Sequence, residues 1–211
     1  MKKDSPCGST VMEVLRSDSV VNLGKEYLEF GVDTLLESGA LKDIPMVNTV
    51  VGIFNVAGSL RDQLLTSKLL RFLNKFSEVP QNERIAMVEK LNEDEKFAGR
   101  AGAALIEILD RMESEKKPEL AAKCFAAYAK NEISFEELRR ILLALERVPS
   151  FDIEKLGQFS RASGREPIEM DEALLLAFVN AGLGQNNGGL DGGAILPTKL
   201  CKKFVAIGLC S

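Results

Sequence analysis

Helical periodicity runs through most of the chain. Leu28, Val32, Leu35 and Leu36 recur at helical spacing, and Gly39 follows them as a C-terminal cap. Leu65, Leu69, Phe72, Leu73 and Phe76 form a second stripe that ends before Pro80. Ile85, Val88 and Leu91 make a third. Phe97, Ala101, Leu105, Ile108, Leu109 and Met112 make a fourth, after an acidic turn at Glu93, Asp94 and Glu95 whose carboxylates suit a helix N-terminus. Pro118 opens a helix using Leu120, Ala121, Cys124, Phe125 and Tyr128. Ser134 and Glu137 form a capping box for a helix carrying Leu138, Ile141, Leu142 and Leu145.

One segment breaks the alternation of apolar and charged positions. Ile44 to Leu60, IPMVNTVVGIFNVAGSL, has no charged residue, yet Lys42 and Asp43 precede it and Arg61 and Asp62 follow it. As a helix at ~1.5 Å per residue it extends roughly 25 Å, short of the ~20 apolar residues that a hydrocarbon core of about 30 Å requires. Ile44, Val47, Val51 and Phe54 mark one face and Val50, Ile53, Ala57 and Leu60 another, so the helix needs burial on most sides. The favoured expectation is the central helix of a core. The alternative is a segment released to a membrane or a partner, with Gly52, Ala57 and Gly58 allowing close backbone approach. The helix that follows carries Arg61, Lys68, Arg71 and Lys75 on the side opposite its apolar stripe, with only Asp62 against them. Beside a membrane-seeking segment, such a face would be drawn to anionic headgroups. Val47, Val51, Phe54, Lys68, Arg71 and Lys75 are therefore the candidate contact residues, for partner or membrane.

Pro149 and Ser150 punctuate the chain, and its character then changes. Helical signals at Asp152 to Phe159 and Ile168 to Ala181 precede GLGQNNGGLDGG, a loop rich in Gly and Asn. A short apolar stretch, Ala194 to Leu196, comes next, and Thr198 caps a last helix, TKLCKKFVAIGL. The pattern predicts a mainly α fold: an N-terminal helical region over 1–40, a helical bundle over 41–148 containing the apolar segment 44–60, and a module over 150–211 with a short β-hairpin.

Composition narrows the chemistry. The chain has 211 residues, 45% of them hydrophobic, enough for one good core with or without a small appended module. Its net charge of -4 argues against a general nucleic-acid binder. No histidine occurs, which removes the commonest general base, metal ligand and pH switch together. Cysteines at 7, 124, 201 and 210 show no CxxC spacing, so free thiols in a cytoplasmic protein are expected, with the inner face of the membrane as the alternative location. Met1 to Thr10 lacks the apolar core of a secretory signal. No phosphate loop or nucleophile elbow appears. Ser114 and Lys117 satisfy S-x-x-K, which reads as a solvated turn before Pro118. The expectation is a non-enzymatic protein without cofactor, metal or catalytic residues.

Three resemblances bear on this picture. Ala126 to Leu138, AAYAKNEISFEEL, resembles the helix-loop-helix of EF-hand and TerB-like tellurite-resistance domains, with Ile133 and Glu137 four apart. Ala126, Tyr128 and Lys130 occupy positions that would need oxygen ligands, so calcium is not expected. The order of elements from Asp152 onward resembles a winged-helix domain of MarR-like regulators. There the recognition helix would carry basic residues, yet Met170 to Ala181 has Asp171 and Glu172 and no lysine or arginine, and Gln185 to Gly193 has only Asp191. A wing used for protein contact or packing is expected, not duplex binding. Leu41 to Gly52, LKDIPMVNTVVG, resembles uncharacterised bacterial helical proteins associated with defence or mobile-element genes, which implies a bacterial stress or anti-phage setting. The function expected is that of a helical adaptor or regulator acting through protein contacts or self-association, with a membrane-associating or pore-forming effector as the alternative.

Overall fold

A computed structural model describes residues 5–18, 20–21, 60–93, 100–114, 116–163, 169–188 and 193–210. The described chain is mainly helical with one two-stranded antiparallel hairpin near its C-terminus, and it divides into two compact units, Met1–Lys130 and Asn131–Ser211. The periodicity of 28–39, and the apolar segment except for Leu60, lie outside the described residues.

In the first unit, α1 (Pro6–Arg16) is capped by Ser5, whose hydroxyl accepts from Gly8 N. It is followed by α2 (Leu60–Phe76), α3 (Gln81–Glu93), α4 (Ala101–Arg111) and α5 (Lys116–Ala129). Helix α2 packs along α5, and α1 packs against α3 and α4. The α2 stripe predicted from sequence is buried, and Thr66, Ser67 and Leu70 are buried with it, so the helix is enclosed over more than one face. Phe72 anchors this core, stacked on Phe76 at 5.6 Å and edge-on to Phe125 at 5.5 Å.

Two glycines let α1 and α4 touch. A Cβ on Gly102 would run into the Gly8 carbonyl, so neither helix could come this close with a side chain at 102. On α3 the inward face begins one residue before Ile85. Arg84 is buried with Met87, Val88 and Leu91, while Ile85 is half-exposed. Hydrogen bonding gives the reason. Arg84 donates from Nε to Leu15 O at 3.0 Å, from Nη1 to Val79 O at 2.7 Å and from Nη2 to Ser17 O at 2.9 Å. Its guanidinium thus satisfies carbonyls at the C-terminal end of α1 and in the turn between α2 and α3.

Asn131, the first residue of the second unit, has a left-handed φ of 60°. Helix α6 (Phe135–Arg147), which the sequence placed in the stretch 41–148, groups with the C-terminal elements. Its capping box is present as expected, with Glu137 N donating to Ser134 Oγ and Ser134 N to the Glu137 carboxylate. The helix predicted over 152–159 is a 3-10 turn, Ser150–Lys155, leading into α7 (Leu156–Phe159). Helix α8 (Glu172–Asn180) starts later than the apolar pattern suggested, because Asp171 caps it by accepting from Leu174 N. Phe178 of α8 packs on Phe159 at 5.0 Å between ring centres.

The hairpin joins β1 (Gly184–Asn186) to β2 (Ile195–Pro197), pairing Gly184 with Pro197, Gln185 with Leu196 and Asn186 with Ile195. Thr198 then serves two elements. It donates from N to Leu183 O at 2.9 Å and from Oγ1 to Gly182 O at 3.0 Å, while its hydroxyl accepts from Cys201 N to cap α9 (Lys199–Ala206).

Candidate functional site

Helix α2 places the described candidate contact residues and gives each of its four cations an acidic or carbonyl partner. Arg61 is 77% exposed and meets Asp110 at 2.5 Å. Lys68 donates to the Asp110 backbone carbonyl at 2.8 Å and is half-buried, so burial lowers its pKa while Asp110 opposes the shift. The Arg71 side chain is only 14% exposed and lies 3.8 Å from Glu119. Lys75 reaches both oxygens of Glu78, at 2.6 and 2.7 Å. On its own helix only Asp62 opposes these cations. Folding brings Asp110 from α4, Glu119 from α5 and Glu78 from the following turn. Val47, Val51 and Phe54 lie outside the described residues. Leu60, the described end of the apolar segment, is the first residue of α2 and is 73% exposed, with Leu64 one turn on also exposed.

The S-x-x-K pair does not form a solvated turn. Lys117 lies in the first turn of α5 with its side chain fully buried and Nζ 3.2 Å from Glu113, and its backbone N–H donates to Ser114 Oγ at 3.4 Å. Helix α5 begins at Lys116, two residues before Pro118, and this draws Lys117 into the fold.

In the second unit a cleft of about 340 Å³ opens between the first turns of α6 and the exposed side of α9. Sequence reasoning missed it, because its walls come from segments some sixty residues apart. Lys203 bridges it to Glu137 Oε1 at 2.5 Å. That hydrogen bond, followed by the one from Ser134 N, holds the Glu137 carboxyl below the ordinary glutamate range. Glu136 pairs with Arg140 along α6 at 2.6 Å. Lys199, one turn before Lys203, is exposed and has no hydrogen bond or ion pair among the described residues. Leu200 supplies an apolar wall. The one signal for the cleft in the sequence was the capping box itself, which fixes Glu137 at the head of α6.

No protein-family model, curated protein or solved structure matches the chain.

Among the described residues, no group of three or more Cys, Asp or Glu side chains is placed to hold a metal ion. No described helix is long and apolar enough to cross a membrane. Two thiols are deeply placed. Burial pushes the Cys201 pKa to about 12, with Cys210 adding to the shift, and burial also raises that of Cys124. Neither forms the nucleophilic thiolate at neutral pH.

Proposed function

We propose that the chain is a non-enzymatic helical adaptor or regulator that works through contacts with other proteins. The observation that carries this reading is the internal pairing on α2. Arg61, Lys68, Arg71 and Lys75, the charges that would hold the helix on anionic lipid, are engaged with Asp110, Glu119 and Glu78. Releasing them toward headgroups would forfeit those contacts, and Lys68 and Arg71 would also have to leave partly buried positions. Large apolar side chains, by contrast, stand ready for a protein surface, above all Phe151, which is 79% exposed. The resemblances to winged-helix and TerB-like domains, and to bacterial proteins associated with defence genes, fit a cytoplasmic regulator of stress or anti-phage responses.

Flotation with anionic liposomes, combined with dye release, tests the proposal. Protein staying at the bottom of the gradient without leakage is the expected result. The second reading is a membrane-associating effector, and what favours it is the exposure of Leu60 and Leu64 directly after the charge-free segment. Flotation with leakage, lost when Arg61 and Lys75 become glutamine, would establish that reading in place of the first. Duplex readout is not proposed, because α8 presents Asp171 and Glu172 at its start and no cation along its length.

A further inference from the structure

The cleft between α6 and α9 has a composition that selects its occupant. Its cations are Arg140, Lys199 and Lys203, and its carboxylates are Glu136 and Glu137. Both carboxylates are already matched, Glu136 by Arg140 and Glu137 by Lys203 together with the Ser134 amide. The surplus is one positive charge, and it sits on Lys199. The head of α6 is not the anchor, since the Ser134 hydroxyl already occupies the Glu137 amide.

Lys199 and Lys203 lie four residues apart, hence on one side of α9. A carboxylate entering beside Lys199 therefore also comes within reach of Lys203, which has further N–H groups to donate. Leu200, next to Lys199, offers the apolar contact that a bare ion would not use. A volume of about 340 Å³ is at the small end of ligand clefts, suited to one or two side chains.

We infer that this cleft takes an acidic peptide segment of a protein partner, with an aspartate or glutamate docked on Lys199 and Lys203 and an adjoining apolar side chain against Leu200. This rests on the adaptor reading and names the chemistry of the partner. A nucleic-acid backbone fits less well. Successive phosphates of a backbone require several surplus cations, whereas the cleft, with Glu136 and Glu137 among its lining, has one. The peptide needs a single charge-assisted contact, and the cleft has a single charge to spare.

The test is selection of short randomised peptides on the full-length chain. Enriched peptides should carry Asp or Glu next to Leu, Ile or Phe. Lys199→Glu should weaken their binding about tenfold or more, the loss expected for a charge-assisted contact. Lys202→Glu makes the same charge change on an exposed position of α9 outside the cleft, and it should leave binding within about twofold. Both sites are exposed, and circular dichroism checks that each variant folds. No enrichment, enrichment without an acidic position, or equal loss in the two variants would overturn the proposal. So would displacement of the peptides by a short DNA duplex, which would make the cleft a phosphate site. Failure here with the protein at the bottom of the liposome gradient would remove the cleft alone, whereas flotation with leakage would remove the adaptor reading as well.

Discussion

Arg84 Nε donates to the Leu15 carbonyl oxygen across 3.0 Å, so a buried cation of α3 closes the end of α1. The same guanidinium serves Val79 and Ser17, while Asp18, 4.0 Å away and largely exposed, gives partial charge compensation. Burial lowers the Arg84 pKa and Asp18 opposes the shift, but an arginine keeps its proton throughout the range in which the protein is folded. Arg84→Ala would strand three carbonyls and leave a void, at a cost of about 3 kcal/mol. Arg84→Lys keeps the charge but loses the fork, and should recover less than half of that loss. Urea unfolding followed by circular dichroism measures both.

Gly102→Ala tests the crossing of α1 and α4. The new methyl group would meet the Gly8 backbone, which has no rotamer by which to move aside, so the helices must separate. A loss of about 1–3 kcal/mol is expected, read as a lower thermal midpoint. Gly157→Ala is the control. Its methyl would find only Cys210 Cβ, at 3.8 Å, so nothing opposes the helical preference for alanine and stability should hold or rise by up to about 1 kcal/mol.

Local chemistry was legible in the sequence and tertiary chemistry was not. Ser134 and Thr198 cap helices where their side-chain oxygens precede an apolar repeat, and Leu65 to Phe76 buries the stripe that its spacing describes. Those features depend on neighbours within one turn. Arg84 and Lys117 were missed because a charged residue in a helical repeat reads as solvent-facing, and only the fold shows which carbonyls or carboxylates await it. The partners of Arg61, Lys68 and Arg71 were hidden for the same reason, since Asp110 and Glu119 are more than forty residues from them. A triple glutamine replacement of Lys68, Arg71 and Lys75 is consequently not silent toward folding, and Arg61 with Lys75 is the better pair for probing lipid.

Thiol reactivity should separate the four cysteines. Cys124 and Cys201 are buried, with pKa values raised by that burial, whereas Cys7 and Cys210 are partly exposed. Iodoacetamide near neutral pH should label Cys7 and Cys210 first, with Cys124 and Cys201 reacting only after addition of urea. Rapid labelling of Cys201 in the native protein, seen by peptide mass spectrometry, would contradict the packing of α9.

Glu137 links the second unit to pH. Its folded-state pKa lies below the free glutamate value of about 4.3, so the carboxylate's contribution is fully present above that value and is lost as pH falls through the folded pKa. Glu137→Gln should therefore lower the thermal midpoint at neutral pH, and the gap from the parent protein should narrow as pH falls from neutral to below the free glutamate value. A constant gap across that range would mean that the Lys203 contact contributes nothing through charge.

Thr198 has a consequence that reaches beyond capping. Because one residue ends the hairpin and starts α9, the strand acts as a ruler that sets the rotational phase of the last helix. Each residue of an α-helix advances about 100° around the axis. A single alanine inserted between Thr198 and Lys199 would therefore turn Lys199 and Lys203 away from Glu137 by more than a quarter of a revolution, leaving the fold's inventory of charges intact but aimed elsewhere.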